Sequence, residues 1–482
     1  MFQTLCPGRG MSQAWFQAIG MLMASLAIAR LGVSHERPNF ILIMVDDMGY
    51  AGVSCFGNPY FQTPNIDRLA KEGMRWTDFH TSGTVCSPTR AGLLTGRYQQ
   101  RAGIEAVIHP AADHPEHRKG LQPIEVTFAE QLREAGYATG LIGKWHQGYT
   151  EVSPDYHPQN HGFDTFIGYH SGNIDFVSHV GDHDQHDWWH GREETHEEGY
   201  ATDLLNHYAS AFIEQHQHQP FCLYLPHLAI HNPVQVRGDP IQRTVEHGWK
   251  RWKPADEAER LEKYRGMLLP IDEGIGQLLA TLTGLGLDRK TLILFFSDNG
   301  ASVDFPSGSP RWRGGKGSVY EGGHKVPLIA WWPGRIAAGS QSDDPAISLD
   351  IMPTLLSLAG IAAAADRPLD GFDLTPRLLG DEPLPARPLF WASLSNQGQR
   401  NEAVRLGPWK LVVNHPQAKP GSFDNAQLEL YRLDQDPSEQ HDLAASYPDQ
   451  AQRLRNLLQG WYADTQRTAT PQQGGWTRTP VE

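Results

Sequence analysis

Four uninterrupted apolar runs recur along the chain, and each delivers a group of polar side chains at its end. Asn39 to Val45 (NFILIMV) ends at Asp46-Asp47, Ala138 to Gly143 (ATGLIG) leads to Lys144 and His146, Pro220 to Leu225 (PFCLYL) leads to His227 and His231, and Thr291 to Ser297 (TLILFFS) leads to Asp298-Asn299. Continuous runs, unlike alternating ones, predict strands buried on both faces, as in a parallel sheet. Between them, TPNIDRLAKEG, TFAEQLREAG and RGMLLPIDEGIGQLLATLTGLG carry helical spacing. Strands alternating with helices predict an α/β fold whose sheet is covered on both faces. Such sheets bind ligands outside the carboxyl ends of their strands, which is where these polar groups fall.

After VPLIAWWPG and the helical LDIMPTLLSLAG the chain turns rich in Ala, Pro and Asp, and a domain boundary is expected near residue 380. LFWASL, EAVRLGPWKLVVN and LELYRLDQDP then predict antiparallel strands, closed by a helix near Pro448 to Thr465. The expected division is residues 30–380 and a smaller α+β unit, residues 381–482. At the other end, Ala18 to Ala29 is apolar, too short to cross a bilayer, and ends in an Ala-x-Ala site. Residues 1–29 therefore predict a signal peptide and export to the periplasm or beyond, without a stable membrane anchor; a buried N-terminal helix is the alternative.

Charge narrows the partners. The 482 residues carry a net charge of −14, which argues against a nucleic-acid partner and requires any anionic substrate to be met by local cations. Of four cysteines, Cys6 precedes the expected cleavage site, and Cys55, Cys86 and Cys222 are too few for a disulfide framework.

Each strand-end group alone has a plain explanation: Asp46-Asp47 and Asp298-Asn299-Gly300 are good turn or cap sequences. On one rim together they form a hard-oxygen cage suited to calcium or magnesium rather than zinc. Lys144, His146, His231 and Lys316 would add cations and proton carriers, a set suited to a phosphate or sulfate ester. Cys86, in TVCSPTRAGLLTGRY, lacks the adjacent base that a catalytic thiolate requires, since Arg90 cannot be one.

The string Cys86-x-Pro88-x-Arg90, followed by Gly92-x-x-Thr95-Gly96-Arg97, resembles the signature of type I sulfatases, in which this cysteine is oxidised to formylglycine. NFILIMVDDMGY, TPNIDRLAKEG, GLIGKWHQG, HGFDTFIGY, FFSDNG, KGSVYEGGHKVPLIAWWPG and LDGFDL stand in the family's order, so the resemblance covers most of residues 38–375. It implies an alkaline-phosphatase-like α/β/α sandwich with a large, mostly parallel sheet. It also implies one calcium ion, with magnesium second, held by Asp46, Asp47, Asp298 and Asn299 with residue 86 as a further contact, and a formylglycine-generating enzyme as maturation partner. In that scheme one hydroxyl of the hydrated aldehyde attacks sulfur, and the other, deprotonated by His146, expels sulfate. Arg90 braces the formylglycine, Lys144 and Lys316 neutralise the sulfate oxygens, and His231 and Lys316 protonate the departing alcohol. Ser178 and His179, in SGNIDFVSH, match a Ser-His pair placed near the ester oxygen. Two departures affect local geometry: Lys325 stands where the family often has Arg, and Ala229-Ile230-His231-Asn232-Pro233 replaces Ala-Pro-His-Thr-Pro.

Two further segments bear on substrate. VGDHDQHDWWHGREETHEEGY matches no compact zinc spacing and predicts a surface substrate loop, with Trp188 and Trp189 as sugar-stacking side chains. QVRGDPIQRTVEHGWKRWKP offers Arg237 and Arg251 among its cations, its alternative being a solvated amphipathic helix. The portion HGFDTFIGY…SGNID also looks like sulfatases acting on algal galactans such as carrageenan. The resemblance implies an exported carbohydrate sulfatase; a broad arylsulfatase, a phosphate or phosphonate monoester hydrolase, and a non-catalytic glycan binder are the alternatives.

Overall fold

The computed structural model describes Met1 and residues 37–248, 253–302, 307–309, 311–394, 400–415 and 426–472. The expected signal segment and Arg251 lie outside the described residues. Eleven strands form the large sheet: β1 (Asn39–Val45), β2 (Met74–His80), β3 (Ala138–Lys144), β4 (Thr165–Tyr169), β5 (Trp189–His190), β6 (Glu193–Glu194), β7 (Phe221–Pro226), β8 (Thr291–Ser297), β9 (Lys325–Trp331), β10 (Ser340–Ser342) and β11 (Ala346–Ile347). Their order is β10-β2-β9-β8-β1-β7-β3-β4-β5-β6, with β11 also on β2.

The four apolar runs become the four central strands, β8-β1-β7-β3, all parallel. Antiparallel pairing is confined to β9, set between β8 and β2, and to the short β5 and β6. Period-two alternation divides β1 between two cores. Ile41, Ile43 and Val45 pack with the helices Pro64–Glu72, Ala201–Gln215 and Glu257–Gly284. Phe40, Leu42 and Met44 pack with Cys86–Thr95, Phe128–Glu134 and Ile351–Ala359. The result is the α/β/α sandwich.

Register aligns the strand ends. Val45 pairs with Ser297 and Met44 with Pro226, so Asp46-Asp47, Asp298-Asn299 and the turn carrying His231 leave the sheet side by side. Lys144 reaches the same rim because β3 carries glycine just before it. Gly143 has φ of 133°, and a Cβ there would lie 2.1 Å from Pro226 O.

The second sheet, β12 (Pro388–Leu394), β13 (Arg400–Leu406), β14 (Trp409–His415) and β15 (Gln427–Arg432), is a consecutive antiparallel meander. The helix Pro448–Arg467 packs Leu454, Leu458, Trp461 and Tyr462 against it. The described residues from Pro38 onward pack as one unit.

Many histidines are buried in neutral form. Burial holds His157, His161, His170, His179 and His227 each down at about 4. An unfolded chain protonates them near 6.5, so it binds more protons than the native state as the pH falls below that value. Their contribution is complete above pH 6.5 and is lost as the pH drops toward 4. Thermal melts across this range should show a steadily falling Tm; a flat profile would contradict the assignment.

Candidate active site

The carboxyl rim assembles around Asp46, which is fully buried. Its Oδ2 lies 2.5 Å from Lys144 Nζ and 3.3 Å from Arg90 Nη2, and the same Nη2 lies 2.8 Å from Asp298 Oδ2. Asp47 accepts from Asn299 Nδ2 at 2.8 Å, and its carboxylate lies 2.6 Å from Lys316 Nζ and 3.7 Å from His231 Nε2. Asp47 N–H in turn donates to Asp298 Oδ1 at 3.2 Å. Six of the eight catalytic residues expected from sequence, and all five metal contacts, belong to this cluster or border it.

Cys86 opens the helix Cys86–Thr95 and is buried. Val85, the residue before it, provides no side-chain cap, so the first-turn amides are open to an anion at the positive end of the helix. Arg90, one turn on, faces the same way. Its Nη1 donates to Lys144 O at 3.3 Å, tying the helix to β3. Charges on both partners of such buried pairs are costly to separate, by about 3–5 kcal/mol when one is removed.

Burial pushes the Asp46 carboxyl up, but Lys144, His231 and Arg90 outweigh it and hold the group below its ordinary range. Asp47 follows the same balance, with Lys316 and His231 prevailing over burial. At Asp298 burial and the Asp46 charge win, and the carboxyl rises despite Arg90. Of the three crowded carboxylates only Asp298 is raised, the other two being held down by the surrounding cations. Asp46 Oδ1 and Asn299 Oδ1 are buried without a hydrogen-bond partner. Unpartnered oxygens within a buried cluster of three carboxylates fit a hard divalent cation.

Burial raises the Cys86 thiol, although Lys144 and Lys316 pull against it, so the unmodified side chain is a neutral thiol and a poor nucleophile. His146 is held well below 6.5 by burial and Lys144, and His231 is lowered by burial and Lys316. Both are neutral at pH 7. His146 engages Ile108 O through Nε2 at 3.0 Å, leaving Nδ1 without a partner. Lys316 loses by burial but gains more from Asp47, and its ammonium is stabilised.

Other expected residues stand elsewhere. Ser178 Oγ donates to Arg243 O at 2.6 Å. His179 bonds Gly199 O and stacks on Trp188 at 4.5 Å. These partners make both residues part of the frame of their own loop rather than of the rim. Trp188 is fully buried, with its indole N–H donating to Glu197, so it offers no platform to a sugar. Trp189 is half-buried and donates to Asp187. Arg237 clamps Asp203 and Glu273 on two helices, and its charge is taken up there. Local alternation of aromatic and acidic residues could not distinguish a displayed tryptophan from an anchoring one.

Two residues at the centre escaped the sequence pattern. Gln147 Nε2 donates to Ser87 O and His146 O, fixing His146 against the start of the Cys86 helix. Tyr224, an interior position of β7, lies against the Arg90 guanidinium. Gln147 adjoins a flagged histidine; nothing in an apolar run marks Tyr224.

The fold and rim define an alkaline-phosphatase-like hydrolase of anionic esters. The family model described as Sulfatase matches residues 38–361, and that described as N-sulphoglucosamine sulphohydrolase, C-terminal, matches residues 311–463. Arylsulfatase A of Homo sapiens is 34% identical, over 90% of this chain and 89% of that protein. N-acetylgalactosamine-6-sulfatase of Canis lupus familiaris is 34% identical, over 81% and 74% respectively. Among solved structures, Ps i-CgsB in complex with k-i-k-neocarrahexaose superimposes with a TM-score of 0.78 at 28% identity, covering 90% of this chain and 94% of that one. The chain belongs to the type I sulfatases and is a sulfuric ester hydrolase.

Proposed function

We propose that the protein removes sulfate from a sulfated carbohydrate, using formylglycine formed at Cys86 and a calcium ion. The observation that carries this reading is the buried Asp46/Asp47/Asp298/Asn299 cluster, with Asp46 Oδ1 and Asn299 Oδ1 unpartnered, lying with Lys144 and Lys316 around a buried neutral thiol at a helix N-terminus. Asp46, Asp47, Asp298 and Asn299 would hold the metal, with residue 86 as a further contact. Bound there, calcium would supply Lewis-acid polarisation of the sulfate oxygens and of the hydroxyl of residue 86. The hydrated aldehyde would supply one hydroxyl for attack and a second for release of sulfate, a route that a serine lacks.

The chain's own groups do the rest. Arg90 and the helix amides orient residue 86, and Lys144 and Lys316 balance the charge that shifts onto the sulfate oxygens. In this reading Lys316 and His231 serve the departing oxygen, His231 once it has taken up a proton, and neutral His146 accepts one at its unpartnered Nδ1. Ser178 and His179 are given no catalytic role in this reading and Arg237 none in binding, since each has partners elsewhere.

A carbohydrate substrate is supported by the relative named for N-acetylgalactosamine 6-sulfate and by the neighbour bound to neocarrahexaose. Carrageenan-type galactans fit the latter. The relative named arylsulfatase A favours a second reading, a broad arylsulfatase. Cleavage after residue 29 with export, maturation by a formylglycine-generating enzyme, and division near residue 380 belong to the same proposal. Among the described residues no helix is long and apolar enough to cross a membrane.

Matched aryl sulfate and aryl phosphate esters test the reaction. The sulfate is expected to turn over faster by about 10²-fold or more, as transition-state binding tuned to a sulfate ester requires. Preference for phosphate or phosphonate would overturn the reading. A higher kcat/KM for sulfated oligosaccharide than for aryl sulfate would decide for the carbohydrate.

A further inference from the structure

Lys316 sits in a glycine-rich turn, Arg313-Gly-Gly-Lys-Gly-Ser318, in which Ser318 N–H donates to Gly315 O at 2.9 Å. On the inner side, Lys316 N–H donates to Ala301 O at 2.9 Å and Gly317 N–H to Thr84 O at 2.8 Å. On the outer side Gly322 N–H closes the turn on Arg313 O at 2.8 Å, and further restraints come from the C-terminal sheet and the segment that follows it. Ser393 Oγ donates to Gly317 O at 2.7 Å. Arg313 Nη1 donates to Tyr431 Oη at 2.8 Å and to Glu439 O at 3.0 Å. At the far end of the turn, Glu321 N–H donates to Glu439 Oε2 at 2.7 Å.

The same sheet reaches the segment that leads to Cys86. Trp391, two residues before Ser393 on β12 and hence on the same face, donates its indole N–H to Thr81 O at 2.8 Å and stacks on His324 at 4.0 Å. Beneath them Lys410 of β14 is fully buried, with Nζ 2.9 Å from Glu321 Oε1 and 2.9 Å from Glu439 Oε1. One face of one sheet thereby grips both the turn carrying Lys316 and the strand exit carrying Cys86.

We infer that the C-terminal sheet sets the position of Lys316 against residue 86, with Ser393 and Lys410 as positioning residues for cleavage of the ester. The inference rests on the role of Lys316 at the departing oxygen given above. An ångström of misplacement at a reacting centre can cost about 10²-fold. The loss should fall on esters whose leaving oxygen needs help, because a weakly basic phenolate departs without a proton.

The test compares 4-nitrophenyl sulfate with an unactivated alkyl sulfate, using metal-loaded, formylglycine-containing full-length protein. Lys316→Ala serves as the reference and should lose far more kcat on the alkyl ester. Ser393→Ala, which changes no charge, is expected to lose about tenfold in kcat on the alkyl ester and less than about twofold on the nitrophenyl ester, with Ser393→Thr restoring both. Lys410→Met should show the same selectivity more strongly. If it fails to fold, because Glu321 and Glu439 lose their shared cation, Ser393→Ala decides. Equal losses on the two esters, losses that follow Tm alone, or no loss while Lys316→Ala discriminates would overturn the inference. If Lys316→Ala itself fails to discriminate, the assignment of Lys316 falls, and the inference falls with it.

Discussion

Cys86→Ala is expected to abolish sulfate ester hydrolysis, by roughly 10⁴-fold or more in kcat, while leaving the protein folded. The side chain is small and buried at the start of a helix, and alanine fits the space without leaving a charge unpaired. Cys86→Ser should separate two roles. A serine hydroxyl can attack sulfur but cannot release sulfate by the aldehyde route, so a single burst without turnover is expected. Steady turnover by Cys86→Ala would contradict the mechanism. Near-ultraviolet circular dichroism and Tm, unchanged within a few degrees, would show that the loss is chemical.

Chelation should have the second largest effect. Removing the metal is expected to cost about 10³-fold in rate, several kcal/mol of transition-state stabilisation, with recovery on addition of Ca²⁺ and weaker recovery with Mg²⁺. It should also lower Tm, because a ligand at a hundred times its Kd stabilises the folded state by about 2.7 kcal/mol. Asp298→Asn should reproduce the loss of activity and lower Tm as well, because it weakens the metal site and removes the buried partner that Arg90 holds at 2.8 Å. A chelated enzyme that keeps full activity would remove the metal from the account.

Much of this site could be read before the structure. Continuous apolar runs placed β1, β3, β7 and β8 in the centre of a sheet, and the polar pairs at their ends fell on one rim because parallel strands share a direction. The register then brought Asp46, Asp47, Asp298 and Asn299 together across 252 residues of sequence. Short-range composition served less well. Trp188 and His179 occur in a polar, histidine-rich stretch, yet Asp187 accepts from His170 N–H, Ser171 N–H and Trp189, folding the stretch back on itself and burying the indole next to it. Arg237 read as a substrate cation until its partners were known; two carboxylates on separate helices claim it. The contribution of Ser393 and Lys410 had no sequence signal, because it arises from one sheet docking against a turn some 80 residues away.

Mass spectrometry of the tryptic peptide Trp76 to Arg90, WTDFHTSGTVCSPTR, tests the central claim most directly. In protein from its native host, residue 86 is expected to carry an aldehyde, with the thiol sulfur replaced by oxygen and two hydrogens lost, and to react with a hydrazide probe. An unmodified thiol at residue 86 in catalytically active protein from that host would contradict the account.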